Sequence, residues 1–290
     1  MSIELRSLGR IEIAGPGAEH PEALLSRPLN VAVLAYLLLG GQGQASGALS
    51  ENRFSEGRAR GPARGRESVV TLFWPHASRE RGRSSLRVAL HALRSHLGPD
   101  AIRSRGDDLV VDPDILSCDA LAFDDLLRER RLEEALTLYG GDLLPGLRPR
   151  CAPRFDAWLA DRRLALRRRA AEAAWDLSEQ SERAGRTIEA ARWARRAAAL
   201  SPDVEPSARR LMRLLARHGD RVGALEAYDA FVDRWSAEQE AAPSARTRTL
   251  AAAIRGAPAM AGLDARPESP TGGGELPADR WPVAGKIAMA

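Results

Sequence analysis

A 34-residue spacing in the second half of the chain limits its fold more than any other feature. Gly185 and Gly219 stand that distance apart, as do Ala190 and Ala224, and Leu177 and Leu211. Ala194 and Tyr228 occupy matching positions, and Pro202 and Pro243 close the two units at slightly different offsets. The period is that of tetratricopeptide helix pairs, in which small residues let the two helices of a hairpin approach closely. Two such repeats cannot bury a continuous core alone. The upstream runs AFDDLLRERRLEEALTLY and FDAWLADRRLALRRRAAEAAWDLSEQS and the final SARTRTLAAAIRG are therefore expected to complete it as helices. Trp158, Trp175, Trp193 and Trp235 fall at helical spacings within these runs and read as core.

The first 115 residues follow a different pattern. Ile3, Leu5, Leu8, Ile11 and Ile13 alternate around Gly9, which predicts a small hairpin. Ser26-Arg27-Pro28 opens a helix through LNVAVLAYLLL, because proline in the first turn gives up an N–H that would be unpaired anyway. RESVVTLFW predicts a short helix ended by Pro75, with Phe73 and Trp74 in the core. Ser78 caps a longer helix whose Leu86, Leu90, Leu93 and Leu97 form one stripe, and Gly98-Pro99 stops it. AIRSRGDDLVVDP then reads as two short strands around Arg105-Gly106-Asp107. Hairpin, three helices, hairpin is the element order of a winged helix. The expected fold class is mainly α with a small β component: an N-terminal winged helix-turn-helix over 1–115, then an all-α tetratricopeptide-like repeat domain over 116–256. A Gly/Ser/Arg-rich insertion, about 41–65, is expected to be a flexible loop, and 257–290 a disordered tail.

Charge singles out the head. The net charge of +4 is modest for 290 residues, yet twelve arginines face five acids between Gly41 and Arg105. On the Ser78–Leu97 helix, Arg83, Arg87 and Arg94 lie beside the leucine stripe. Ser84, Val88, His91, Ala92 and Ser95 lie opposite it. In a winged helix that far face enters the major groove of duplex DNA. Arg83, Arg87 and Arg94 are then the phosphate anchors, and Ser84, Ser85, Val88 and His91 the base-facing set. Arg103 and Arg105 form the wing. The far face lacks the Asn, Gln and Arg that pair bidentately with bases, so the expected sequence readout is relaxed.

The runs RPLNVAVLAYLLL, RESVVTLFWPHAS and SSLRVALHALRSHLG, followed by the short hairpin, resemble the DNA-binding head of SARP-type bacterial regulators. LYGGDLLPG, FDAWLADRRLAL and EPSARRLMRLLARHGDRVGALEAYDAF resemble the bacterial transcriptional activator domain that follows it. The resemblance spans most of residues 3–255. It implies binding of double-stranded promoter DNA, recruitment of RNA polymerase and a transcriptional activator, with a homodimer as one form. The chain departs from the family where Ser85 replaces the usual Asn, where Val88 replaces a larger polar residue, and in the arginine-rich insertion.

Enzyme chemistry finds no motif. Gly285-Lys286 lacks the upstream glycine and the hydroxyl residue of a phosphate loop. His20, His76, His91, His96 and His218 show no metal-binding spacing. Cys118 and Cys151 are distant and read as reduced thiols. MSIELRSLGRIEI is a strand pattern rather than a signal peptide, and Val31–Leu39 is too short to span a bilayer. The expectation is a cytoplasmic regulator with no catalytic residues, cofactor, metal, membrane partner or small-molecule substrate. The rival reading is a protein-interaction scaffold whose head does not bind DNA.

Overall fold

Alternation along IELR buries Ile3 and Leu5 and leaves Glu4 and Arg6 half-exposed, which makes β1 (Ile3–Arg6) a one-faced strand. This computed structural model describes residues 2–16, 21–40, 63–149, 152–239 and 242–256. β2 (Glu12–Ala14), α1 (Pro21–Leu25) and α2 (Pro28–Leu39) follow. After them come β3 (Ala63–Gly65), α3 (Arg66–Phe73), α4 (Arg79–Leu97), β4 (Ile102–Arg105), β5 (Asp108–Val111) and β6 (Leu116–Cys118). The helical part comprises α5 (Asp119–Arg128), α6 (Leu132–Leu138), α7 (Pro153–Arg183), α8 (Thr187–Ala199), α9 (Glu205–Arg217), α10 (Arg221–Gln239) and α11 (Ala245–Gly256). The fold is mainly α with a small β component, as expected.

Four features differ from the sequence reading. Residues 63–65, expected in the loop, form β3, which pairs antiparallel with β5. The rest of the expected insertion, 41–62, and the expected tail, 257–290, lie outside the described residues. The run AFDDLLRERRLEEALTLY is broken in two, because Arg130 adopts a left-handed conformation with φ of +62°. Helix α1 was not anticipated, since five residues show no periodicity.

The fourth difference concerns the expected boundary at 115/116. β6 lies on its far side, yet pairs parallel with β1, placing Cys118 opposite Leu5. Residues 1–256 form one compact unit, and a single apolar cluster runs from Ile3 to Ile254. Phe73 on α3 stacks on Phe155 of α7 at 5.0 Å, and Tyr36 of α2 meets Trp158 of α7 edge-on at 5.3 Å. The aromatics expected to fill a small head core thus also bind head to body.

The interlock is completed by backbone. Asp119 begins α5, and its carboxylate accepts hydrogen bonds from Ser7 N–H (2.8 Å), Leu8 N–H (2.9 Å) and Ser7 Oγ–H (2.6 Å). Beside it, Leu8 bridges Leu143, and Gly9 N–H donates to the Asp142 carbonyl at 2.9 Å. Gly9 has φ of +82°, and a Cβ there would stand 2.6 Å from the Gly140 carbonyl carbon, so no other residue fits. Tyr139 is buried where α6 ends, and the following loop presses against the first hairpin. Arg163 holds that loop through the Leu143 carbonyl at 2.7 Å, and Arg167 through Asp142 at 2.6 Å.

The repeat is visible as two helix pairs. Gly185 and Gly219 take φ of +72° and +81° in the turns before α8 and α10. Ala190 and Ala224 are fully buried where each pair closes, and Leu177 and Leu211 are buried one helix earlier. Ser178 Oγ–H donates to the Ala190 carbonyl at 2.9 Å, tying α7 to α8.

Asp119→Ala should lower unfolding stability by about 3 kcal/mol, because it strands two buried backbone N–H groups and a hydroxyl. Urea unfolding of both proteins checks this, and a loss under about 1 kcal/mol would contradict the interlock.

Candidate nucleic-acid interface

Helix α4 presents two parallel stripes. Leu86, Leu90, Leu93 and Leu97 are buried, each contributing about 1.5–3 kcal/mol of burial. Ser84, Val88, His91 and Ser95 repeat the same spacing two residues earlier, about 200° round the axis, and all four are exposed. Val88 is 66% exposed, an apolar side chain held in water by a helix whose other apolar face is fully used. Ser85 lies off this stripe and is half-buried. The structure thus brings Ser84, Val88 and His91 together and sets Ser85 to one side. The helix starts as expected, with Ser78 Oγ accepting from Arg81 N–H at 3.4 Å.

The arginines divide by what they touch. Arg87 on α4 and Arg105 at the end of β4 are exposed and have no side-chain partner among the described residues. Arg83 lies 3.5 Å from Glu67 of α3, which also faces Arg79 at 3.7 Å. Arg103 is held by Asp112 at 3.2 Å and Asp100 at 3.4 Å. Arg94 is half-buried; its Nε–H donates to the Ile102 carbonyl at 2.9 Å and its Nη2 to Ser104 Oγ at 3.0 Å. It therefore fastens the β4–β5 hairpin to α4.

That hairpin belongs to the second of two three-stranded sheets. β5 lies between β3 and β4, with Ser104 opposite Leu109 and Arg105 opposite Asp108. Alternation puts Ile102, Ser104, Leu109 and Val111 on the face turned to α4, and Arg103 and Arg105 on the other. Sequence reading missed Arg66, whose Nη2 donates to Ser104 Oγ at 2.6 Å and whose backbone N–H donates to the Asp107 carbonyl at 2.9 Å. It also missed the opposing carboxylate of Glu67. Neither has a sequence signal, because both gain their meaning from strands and helices that meet only in three dimensions.

The buried Cys118 thiol is pushed up to about 12, chiefly by burial and then by the adjacent Asp119. Such a thiol stays protonated and inert. Cys151 lies outside the described residues. Among the described residues no cluster of three or more His, Cys, Asp or Glu is placed to hold a metal, and no helix is long and apolar enough to cross a membrane.

Comparison with known proteins bears on the helical part. Residues 119–255 match the family model of the bacterial transcriptional activator domain. Over these residues the helical body of this chain is similar to a bacterial transcriptional activator domain. Among solved structures, a chain described as Mycobacterium tuberculosis EmbR in complex with low affinity phosphopeptide aligns at 17% identity with a TM-score of 0.48. The alignment covers 87% of this chain and 65% of that one, so this chain spans less than two thirds of that protein's length. No curated protein matches.

Arg94→Ala should raise amide exchange about fivefold across residues 102–111, as expected for losing about 1 kcal/mol of hydrogen bonding. Arg87→Ala should leave exchange unchanged. Equal behaviour of the two variants would remove the distinction drawn between them.

Proposed function

We propose that this chain is a transcription regulator that binds duplex DNA through α4 and the β4–β5 wing and contacts the transcription machinery through its helical body. The observation that supports it is the make-up of α4: five arginines against one acid, on a helix whose apolar face is buried and whose opposite face is left to solvent. Packing alone does not require that excess, since the leucine stripe supplies the packing. A scaffold would have no use for it.

In this reading α4 lies in the major groove. Ser84 and His91 offer hydrogen bonds to base edges, and Val88 an apolar contact for a thymine methyl. Ser85, being half-buried, contributes at the margin. Arg87 is the principal phosphate anchor on the helix, with Arg83 beside it. Arg94 acts by aiming the wing, and Arg105 is its reaching side chain, with Arg103 held back by two aspartates. Readout is relaxed, because no Asn, Gln or Arg occupies the Ser84–Val88–His91 stripe. The body's family supports an activator that engages RNA polymerase and acts in the cytoplasm, with self-association as one mode of assembly. The proposed chemistry is binding, without catalysis, cofactor or metal.

The test is fluorescence anisotropy on a mixed-sequence 24-base-pair duplex over a salt series, with the full chain. Wild type should bind with a steep salt dependence. Arg83→Ala combined with Arg87→Ala should weaken binding to all sequences alike and flatten the log–log slope by about 0.9 per lost contact. A well-folded wild type that binds no duplex would defeat this reading and favour the scaffold, with the helical body as the place to seek a partner. Glu67→Gln should tighten binding two- to threefold, since it frees Arg79 and Arg83 from a weak exposed pair. Weaker binding would show that Glu67 positions these arginines instead of competing for them.

A further inference from the structure

Two cations meet at one neutral oxygen between α4 and the wing. Arg66 Nη2 and Arg94 Nη2 lie 2.6 and 3.0 Å from Ser104 Oγ, so they stand at most about 5.6 Å apart. Among the described residues neither guanidinium forms an ion pair. Their mutual repulsion is left uncompensated. A serine oxygen has two lone pairs, and both are occupied by these donors. The hydroxyl hydrogen is left over as a donor, and the Nη1 groups of the two forks have no hydrogen-bond partner among the described residues. The pieces come from three elements: the first residue of α3, the last third of α4 and the inner face of β4.

We propose that Arg66, Arg94 and Ser104 form a cradle for a single backbone phosphate of DNA. The inference rests on the proposed function and deepens it by naming the group held between helix and wing. The geometry of the duplex supplies the occupant. With α4 in the major groove and the wing over the adjacent minor groove, the sugar–phosphate strand that separates the grooves must pass between the two. A phosphate there accepts from two guanidinium forks and one hydroxyl, a charge-assisted arrangement suited to its tetrahedral oxygens. Arg94 remains anchored through Nε–H to the Ile102 carbonyl, so its Nη groups turn towards the anion without releasing the wing. Contacts of this kind fix the register of the protein on DNA and carry no sequence preference.

The experiment uses the full chain, the same mixed-sequence duplex and the same salt series. Ser104→Ala should weaken binding about fivefold with no change in slope, because it removes a neutral donor. Arg66→Ala should weaken it about tenfold and reduce the slope by about 0.9. The two losses combined should fall short of their product, since both act on one phosphate. Ser104→Asp, which fills the cradle with a carboxylate, should cost at least tenfold and keeps the test open if Arg66→Ala does not fold. The melting temperature of Ser104→Ala should match that of wild type. If wild type binds DNA and Ser104→Ala and Ser104→Asp both stay within twofold of it, the cradle is wrong while the DNA-binding reading stands. If wild type binds no duplex, both fall together. If 10 mM inorganic phosphate shifts the Arg66 and Arg94 side-chain resonances while the variants leave DNA affinity unchanged, the site takes a free anion and the assignment to DNA is overturned.

Discussion

The architecture depends on one buried carboxylate. Asp119 sits at the start of α5, the first helix of the helical body, and accepts three hydrogen bonds from Ser7 and Leu8 of the first hairpin. A buried charge is costly unless its oxygens are satisfied, and here the backbone of the head satisfies them. Around this contact the other junction features fall into place: β6 beside β1, Gly9 against Gly140, and Leu8 beside Leu143. The head is therefore not tethered by a linker. Its orientation relative to the helical body is set by backbone hydrogen bonds and by the Phe73–Phe155 stack.

That fixed orientation matters for what the chain is proposed to do. A regulator that binds DNA with one part and a partner with the other gains from rigidity, because neither contact then has to pay for ordering the other. The same economy shapes the arginines. Some fasten the molecule, as Arg163 and Arg167 do at the junction and Arg94 at the wing. Others, such as Arg87 and Arg105, have no hydrogen-bond or ion-pair partner among the described residues and offer their charge to solvent. A sequence in which nearly every basic residue is arginine hides this division.

Much of the fold was legible because it depends on local chemistry. The leucine stripe of α4, the Ser78 cap, the hairpin around Gly106 and the paired glycines of the repeat each follow from spacing within one element. The missed features are non-local or too short to show a period. Residues 63–65 become a strand only because β5 lies beside them, and β6 is recognisable only once β1 offers it an edge. The break at Arg130 replaces one long amphipathic run by two helices, a change that a left-handed arginine does not announce.

For the candidate interface the division is the same. The sequence by itself determined which helix is basic, which of its faces is apolar, and which residues stand on the opposite face, since 3.6-residue geometry leaves no choice. It also carried the likeness of the body to a bacterial transcriptional activator domain, through motifs held in order along the chain. Only the tertiary structure decided which arginines are occupied. Arg83 and Arg103 are set against carboxylates, Arg94 is turned to the wing, and Arg66 is brought across to Ser104. The physical reason is that a charge's availability depends on what lies within a few ångströms of it, and those neighbours come from elements distant in the chain.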